Sequence, residues 1–335
     1  MFDAACEDTM KAAPAETKFH SRITSIKSMA RFPFPMPRRR GGGYGRSRPL
    51  FGVGGGRSSA GRGAGGLKIR LLIAAGIAAF ALISYYGQPG DVNEITGAVE
   101  RVALTEEADE IALGLQAAPQ MVQQHGGPSR DRAGQATVTR LGNQLLAALN
   151  ASLSEAGREN PYRFQFTLLE DPRTVNAFAL PGGQIFMTKA LFDQLQTDGQ
   201  KAGVLGHEIG HVIERHGNKR MAKQKLFQGL ATAGGVAGGN SKSARMAQMA
   251  TQMISMKYGR GDELESDKWG VRLCAAAGYD PRAMFGVMKV LEAASGGKGP
   301  PEMMSTHPKP ANRVAYVKQV IETEFPNGLP AGLRP

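Results

Sequence analysis

The longest apolar run in the chain is residues 69–86, IRLLIAAGIAAFALISYY, with no charge between Leu71 and Tyr86. Counting Ile69 and the stem of Arg70, it reaches about 18 residues, near the lower limit for crossing about 30 Å of hydrocarbon. It lacks the polar positions at helical spacing that a buried soluble helix would show. Tyr85 and Tyr86 stand where an interfacial aromatic pair belongs. No small-x-small cleavage pattern follows, so residues 69–87 read as an uncleaved transmembrane anchor.

After a short linker at 88–99 the pattern becomes amphipathic. Thr105 as N-cap, followed by Glu106 and Glu107, predicts a helix running to about Gln124, where Gly126, Gly127 and Pro128 end it. Val138, Leu141, Leu145 and Leu149 form one stripe of a second helix, 133–153. Residues 162–168 alternate with period two and predict a strand. VNAFALPGGQIFMT (175–188) predicts two short strands around a Pro-Gly-Gly turn. Beyond residue 188 every long segment is helical in pattern. One helix covers 197–216 and opens on the capping-box spacing of Thr197 and Gln200. Others are expected near 218–232, 243–258, 261–277, 281–294 and 310–323. Met246, Met249, Met253 and Met256 make a core stripe, and Trp269 is a core residue. The expected fold class is α+β, with a mostly helical domain over 100–325 carrying a small β-sheet, and a C-terminal tail at 326–335.

Charge changes the picture at one end only. The net charge is +12, yet residues 1–70 hold 14 Lys and Arg against 4 Asp and Glu. The Gly/Arg/Pro/Ser-rich stretch 31–66 has too little apolar surface to order itself, so residues 1–68 are expected to be a disordered tail. The favoured reading is a solvated flank that orients the anchor. Contact with anionic lipid is the second reading, and nucleic acid is not expected as a partner. The basic flank places the tail in the cytoplasm and the body on the other side. Cys6 and Cys274 are too few for a disulfide-built scaffold.

The chemistry sits at residues 207–211, HEIGH, inside a predicted helix. His207 and His211 are four residues apart, so both imidazoles project from one face, as two adjacent ligands of a tetrahedral Zn²⁺ require. Glu208 can reach a remaining position where water would sit and take its proton. His216 is out of phase with that face and reads as a helix-end residue. Glu214 and Gly217 stand where the metzincin spacing needs Gly and His, so that class is excluded. A third ligand is sought in GDELESDKWG (261–270), where Glu263 and Asp267 share a helix face. One of them can bind the metal while the other holds a ligand histidine from behind; spacing favours Glu263 only modestly, and Glu265 faces elsewhere.

HEIGH, with ELESD about fifty residues later, resembles the gluzincin metallopeptidase family that includes HtpX, the CAAX prenyl endopeptidases, BepA and LoiP. The resemblance covers about residues 100–325. It extends to NAFALPGGQIFMTKALF (176–192), MKYGRGDELESDKWGVRL and STHPKPANR (305–313). It implies a zincin-like fold, one Zn²⁺ per chain held by His207, His211 and Glu263, Glu208 as catalytic base and Asp267 behind the ligands. With it, His307 becomes a donor for the developing oxyanion or an occasional fourth ligand, and Arg313 a residue that orients the same loop. An extended substrate would pair with an edge strand beside the metal helix, for which Asn176, Ala177, Phe178, Ala179 and Leu180 are the expected residues.

The expected protein is a single-pass zinc metalloendopeptidase of the bacterial inner membrane, N-terminus cytoplasmic and catalytic domain periplasmic. Its expected substrates are misfolded or unassembled envelope polypeptides. The alternative is a zinc-holding chaperone or adaptor with little turnover.

Overall fold

The stripe Val138, Leu141, Leu145 and Leu149 lies at the centre of the main core, each residue at most 1% exposed. In the computed structural model, which describes residues 64–239, 258–294, 307 and 313–335, these side chains belong to helix α3 (Arg132–Glu155). Residues 1–63, the methionine stripe of the helix expected at 243–258, and 305–312 apart from His307 lie outside the described residues.

Helix α1 (Ala64–Tyr86) coincides with the long apolar run. Its residues Gly66–Tyr86 are long and apolar enough to cross a membrane, and most of its surface is uncovered. The stretch expected as a linker is instead a hairpin, β1 (Asp91–Val92) antiparallel to β2 (Val99–Glu100). A polar reason accounts for it. Buried Asn93 accepts from the amides of Ile95 and Thr96, and its Nδ2 donates to the Ile213 carbonyl at 2.8 Å. Helix α2 (Glu107–Gln124) begins after Glu106, which makes no side-chain cap, and Thr105 is not its cap either. The preceding turn is held elsewhere, by Asn218 Oδ1 accepting from Ala103 and Leu104.

Three strands form a mixed sheet in the order β3 (Gln165–Leu169), β5 (Gln184–Thr188), β4 (Ala177–Leu180). β5 is parallel to β3 and antiparallel to β4. Gly182 and Gly183, with φ of +80° and +106°, make the tight turn between β4 and β5 that side chains would strain. β3 starts three residues later than its alternation suggests, because Gln165 is the first residue with a partner, Gln184, on β5.

Helix α4 (Lys189–Gln194) leads into α5 (Asp198–Ile213), whose cap is Thr197 as expected, accepting from the Gln200 amide at 3.2 Å. The Gln200 side chain accepts from Gln196 instead of completing the box. α5 stops before the expected 216. Arg215 adopts φ +50°, a left-handed conformation that costs about 1–2 kcal/mol for a side-chain-bearing residue. Its guanidinium makes the conformation tenable, bonding Glu110 at 2.6 Å, Asp91, and the Leu104 carbonyl at 2.8 Å. His216 therefore starts a new helix, α6 (His216–Gly238). Helices α7 (Arg260–Ala276), α8 (Ala283–Ala294) and α9 (Arg313–Glu324) complete the described chain. Residues expected as a C-terminal tail are docked: Asp280 donates from its amide to the Arg334 carbonyl at 2.8 Å, and the Arg334 guanidinium lies 4.1 Å from the Tyr279 ring centre.

α5 and α7 pack along a face of small residues. A Cβ on Gly206 would stand 3.2 Å from Gly270 Cα, and one on Gly210 would stand 2.9 Å from Trp269 Cβ and 3.0 Å from Ser266 Cα. Gly210→Ala forces the helices apart. Overpacking of this kind costs about 1–3 kcal/mol, more than the up to ~1 kcal/mol that alanine gains over glycine in a helix. Thermal melts of the full chain should show Tm lower by about 2–8 °C; an unchanged Tm would mean the interface has slack there.

Candidate metal centre

Closeness of α5 and α7 brings four buried side chains together. His207 and His211 come from α5, Glu263 from the first turn of α7, and His307 from just before α9; none is more than 3% exposed. The two Nε2 atoms of His207 and His211 are 3.0 Å apart, and the Glu263 carboxylate oxygens lie 3.6 Å from each. His307 Nδ1 is 2.9 Å from Glu263 Oε1, and its Nε2 is 3.9 Å from Glu208 Oε1.

Five buried side-chain polar atoms lack a hydrogen-bond partner among the described residues, and four belong here: both oxygens of Glu208, Glu263 Oε2 and His307 Nε2. Glu263 Oε2 does have Arg313 Nη1 at 3.2 Å; the other three, orphaned at this depth, cost about 1–3 kcal/mol each unless something satisfies them. Ligand atoms about 2.0–2.1 Å from a tetrahedral zinc stand about 3.3 Å from one another, close to the spacing of the two imidazoles and the Glu263 carboxylate. Donor set, spacing and missing partners all fit one divalent cation.

Two chains of hydrogen bonds hold the imidazoles from behind. His207 Nδ1 is 2.9 Å from Asp267 Oδ1, and Arg313 donates to both Asp267 oxygens, at 2.8 and 2.6 Å. His211 Nδ1 is 2.9 Å from His216 Nδ1, and His216 Nε2 is 3.0 Å from Glu265 Oε2. With each Nδ1–H donating outward, both Nε2 lone pairs point at the centre. Glu265 thus faces away from the cluster, as expected, yet anchors the second chain. His216, read from its phase as a helix-end residue, is fully buried and belongs to the centre's support. The break at Arg215 re-aims it, and nothing local to the HEIGH motif signals that break.

Tyr258 also escaped the sequence reading. Its ring stacks on His211 with centroids 4.1 Å apart, and its only sequence signal is its place just ahead of GDELESD. Burial pushes the Tyr258 hydroxyl up to about 12, so it stays a neutral donor.

Electrostatics of the buried groups follow from their neighbours. Burial pushes Glu208 above the ordinary carboxylate range, and His307 and His207 only partly offset it. Burial, reinforced by His207, His307 and His216, holds His211 well below the ordinary imidazole range and so neutral. For Glu263 burial acts upward, but His307 and His207 outweigh it and hold the group low. For Asp267 burial is likewise outweighed, chiefly by Arg313. A cation among these groups would favour ionised Glu208 as well.

Of the expected edge-strand residues, Asn176 precedes β4 and the other four compose it, at the rim of the sheet. Asn176 turns its amide and carbonyl toward Thr188 on β5. Main-chain groups alternate along a strand, so those of Ala177 and Ala179 point away from β5. Ala177 is fully buried and Ala179 only partly.

A sequence profile described as peptidase family M48 matches residues 135–321. The chain is 32% identical over 189 residues to the beta-barrel assembly-enhancing protease of Yersinia pestis, a stretch covering 53% of this chain and 37% of that one. The same-named protein of Escherichia coli (strain K12) is 32% identical over 182 residues, 51% and 37% of the two chains. The mitochondrial metalloendopeptidase OMA1 of Homo sapiens is 30% identical over 163 residues, 45% and 31%. The match thus spans between 31% and 37% of the length of these relatives. These findings agree with the resemblance carried by HEIGH and ELESD.

Loss of either supporting chain should loosen the centre without removing a donor atom. Asp267→Asn and His216→Ala are each expected to weaken zinc binding by about 10–100-fold. Competition against a chelating dye measures this, and unchanged affinity would show that the imidazoles need no support.

Proposed function

The chain belongs to peptidase family M48, and from that premise we propose that it is a membrane-anchored zinc metalloendopeptidase. His207, His211 and Glu263 would hold the metal, one ion per chain. The observation that carries the reading is the convergence of these three donors with Glu208 and His307, whose buried oxygens and Nε2 have no hydrogen-bond partner among the described residues. Bound zinc supplies Lewis-acid polarisation and lowers the pKa of water to about 7.

Glu208 acts as general base, taking a proton from the attacking water and returning it to the leaving amine. Among the described residues neither of its oxygens has a hydrogen-bond partner, so either is available for this transfer. His307 Nε2 stands near Glu208 Oε1 and serves as donor to the oxyanion that develops on the scissile carbonyl. Burial works against a charged His307, but Glu263 and Glu208 raise its pKa, favouring the protonated, donating form. Asp267 and Arg313 keep His207 in the tautomer that presents Nε2. Substrate would enter as an extended strand beside β4, bonding the outward main-chain groups of Ala179.

α1 would anchor the protein, with the basic flank on the cytoplasmic side and the body in the periplasm of a bacterial inner membrane. Unfolded or unassembled envelope proteins are the proposed substrates. Two relatives named as assembly-enhancing proteases support that class.

The test is zinc content and casein cleavage by the full chain in detergent. Glu208→Gln should keep its zinc and lose at least about 10²-fold in kcat. His207→Ala should lose metal and activity together. Zinc binding without cleavage by the wild type would favour a polypeptide-holding chaperone or adaptor; cleavage indifferent to Glu208→Gln would sink the mechanism.

A further inference from the structure

α1 and α6 lie side by side and antiparallel. Ala81 packs on Gly229, where a Cβ would come within 2.5 Å, and Arg70 lies against Gly239. α6 divides sharply. Lys219, Arg220, Lys223 and Lys225 occupy its first half, and no charged residue occurs from Leu226 to Gly239. The change from basic to apolar falls beside Tyr85 and Tyr86, where the apolar run of α1 ends. An uncharged stretch of this length is compatible with a buried core helix or with a re-entrant or interfacial segment, and its position beside α1 favours the latter. Two elements thus mark one level as the boundary between hydrocarbon and head groups.

A groove of about 360 Å³ opens at that level between α1, the β1–β2 hairpin and α6. Its lining includes the apolar Ile77, Phe80 and Leu226 and the cations Arg101 and Lys225. The acids in the lining already have partners. Asp91 is paired with Arg215, and Glu100 with Lys219 at 3.0 Å. The two cations differ. Arg101 lies 5.5 Å from the Tyr86 ring centre, and Lys225 donates to the Ala103 carbonyl, at 3.4 Å. Among the described residues neither has a carboxylate within 4.0 Å.

We propose that this groove holds one anionic phospholipid, an acyl chain against Ile77, Phe80 and Leu226 and the phosphate between Arg101 and Lys225. An apolar chain joined to an anionic head is the chemistry that satisfies both ends of the groove at the height where α1 would present it. The proposal rests on α1 lying in a membrane, as argued under the proposed function. It is independent of the Arg/Gly-rich tail.

Native mass spectrometry of the full chain in detergent, titrated with phosphatidylglycerol or phosphatidylcholine of matched acyl chains, tests the site. One phosphatidylglycerol per chain should be retained, with a preference on the order of 10-fold over phosphatidylcholine. Arg101→Gln with Lys225→Gln should abolish the preference, while Arg101→Lys with Lys225→Arg should keep it; circular dichroism melts confirm that both double variants fold. Equal retention of the two lipids, or a preference that survives the double glutamine change, overturns the proposal. So does a preference that disappears when residues 1–63 are deleted, since the tail would then be the lipid contact. Alkaline carbonate extraction of membranes separates the premise from the site. A chain released from the membrane fails the anchor reading and the groove with it. A retained chain with no head-group preference fails the groove alone.

Discussion

Close approach of α5 to α7 allows carboxylates on one helix to meet imidazoles on the other in a buried site. Gly206 and Gly210 supply the clearance, since a Cβ at either position would press on α7. Glu263, one turn into α7, then faces the His207–His211 side of α5, and Asp267, one turn further on, reaches His207 from behind. Separating the helices by a fraction of an ångström would lengthen every one of these contacts at once.

Burial makes the arrangement electrostatically expensive, and the surrounding structure offsets the cost unevenly. Arg313 neutralises Asp267 through two hydrogen bonds, so the chain behind His207 ends in a buried cation. The chain behind His211 runs through His216 and ends at the half-exposed Glu265. Glu208 lacks such a hydrogen-bonded chain, and burial raises its pKa with only partial offset from His307 and His207. Groups left unsatisfied in an otherwise well-bonded interior mark the place where a cation and a substrate would complete the structure.

α6 connects two parts of the molecule that the sequence treats separately. It begins at His216, inside the support of the candidate metal centre, and ends beside Arg70 of α1. From His216 to Lys225 the helix rises about 14 Å. The hairpin at 91–100 braces the same junction, with Asn93 on the end of α5 and Glu100 on Lys219.

Periodicity and spacing made much of this legible. The α3 stripe, the strand pair around Pro181-Gly182-Gly183, the apolar α1 and the His207–His211 pair all depend on residues within a few turns of one another, and all stand where the pattern put them. The α+β class followed from the same periods. His216, Tyr258 and the hairpin were not legible. His216 owes its position to the left-handed turn at Arg215, and that turn is held by Asp91 and Glu110, more than a hundred residues earlier in the chain. Likewise, spacing within GDELESD left Glu263 and Asp267 nearly equivalent; the approach of α5 distinguishes them, setting Glu263 3.6 Å from both Nε2 atoms and Asp267 2.9 Å from His207 Nδ1. A helix's faces are determined by local hydrogen bonding and can be read from sequence. Which face meets which partner depends on contacts between distant segments, and only the tertiary structure decides it.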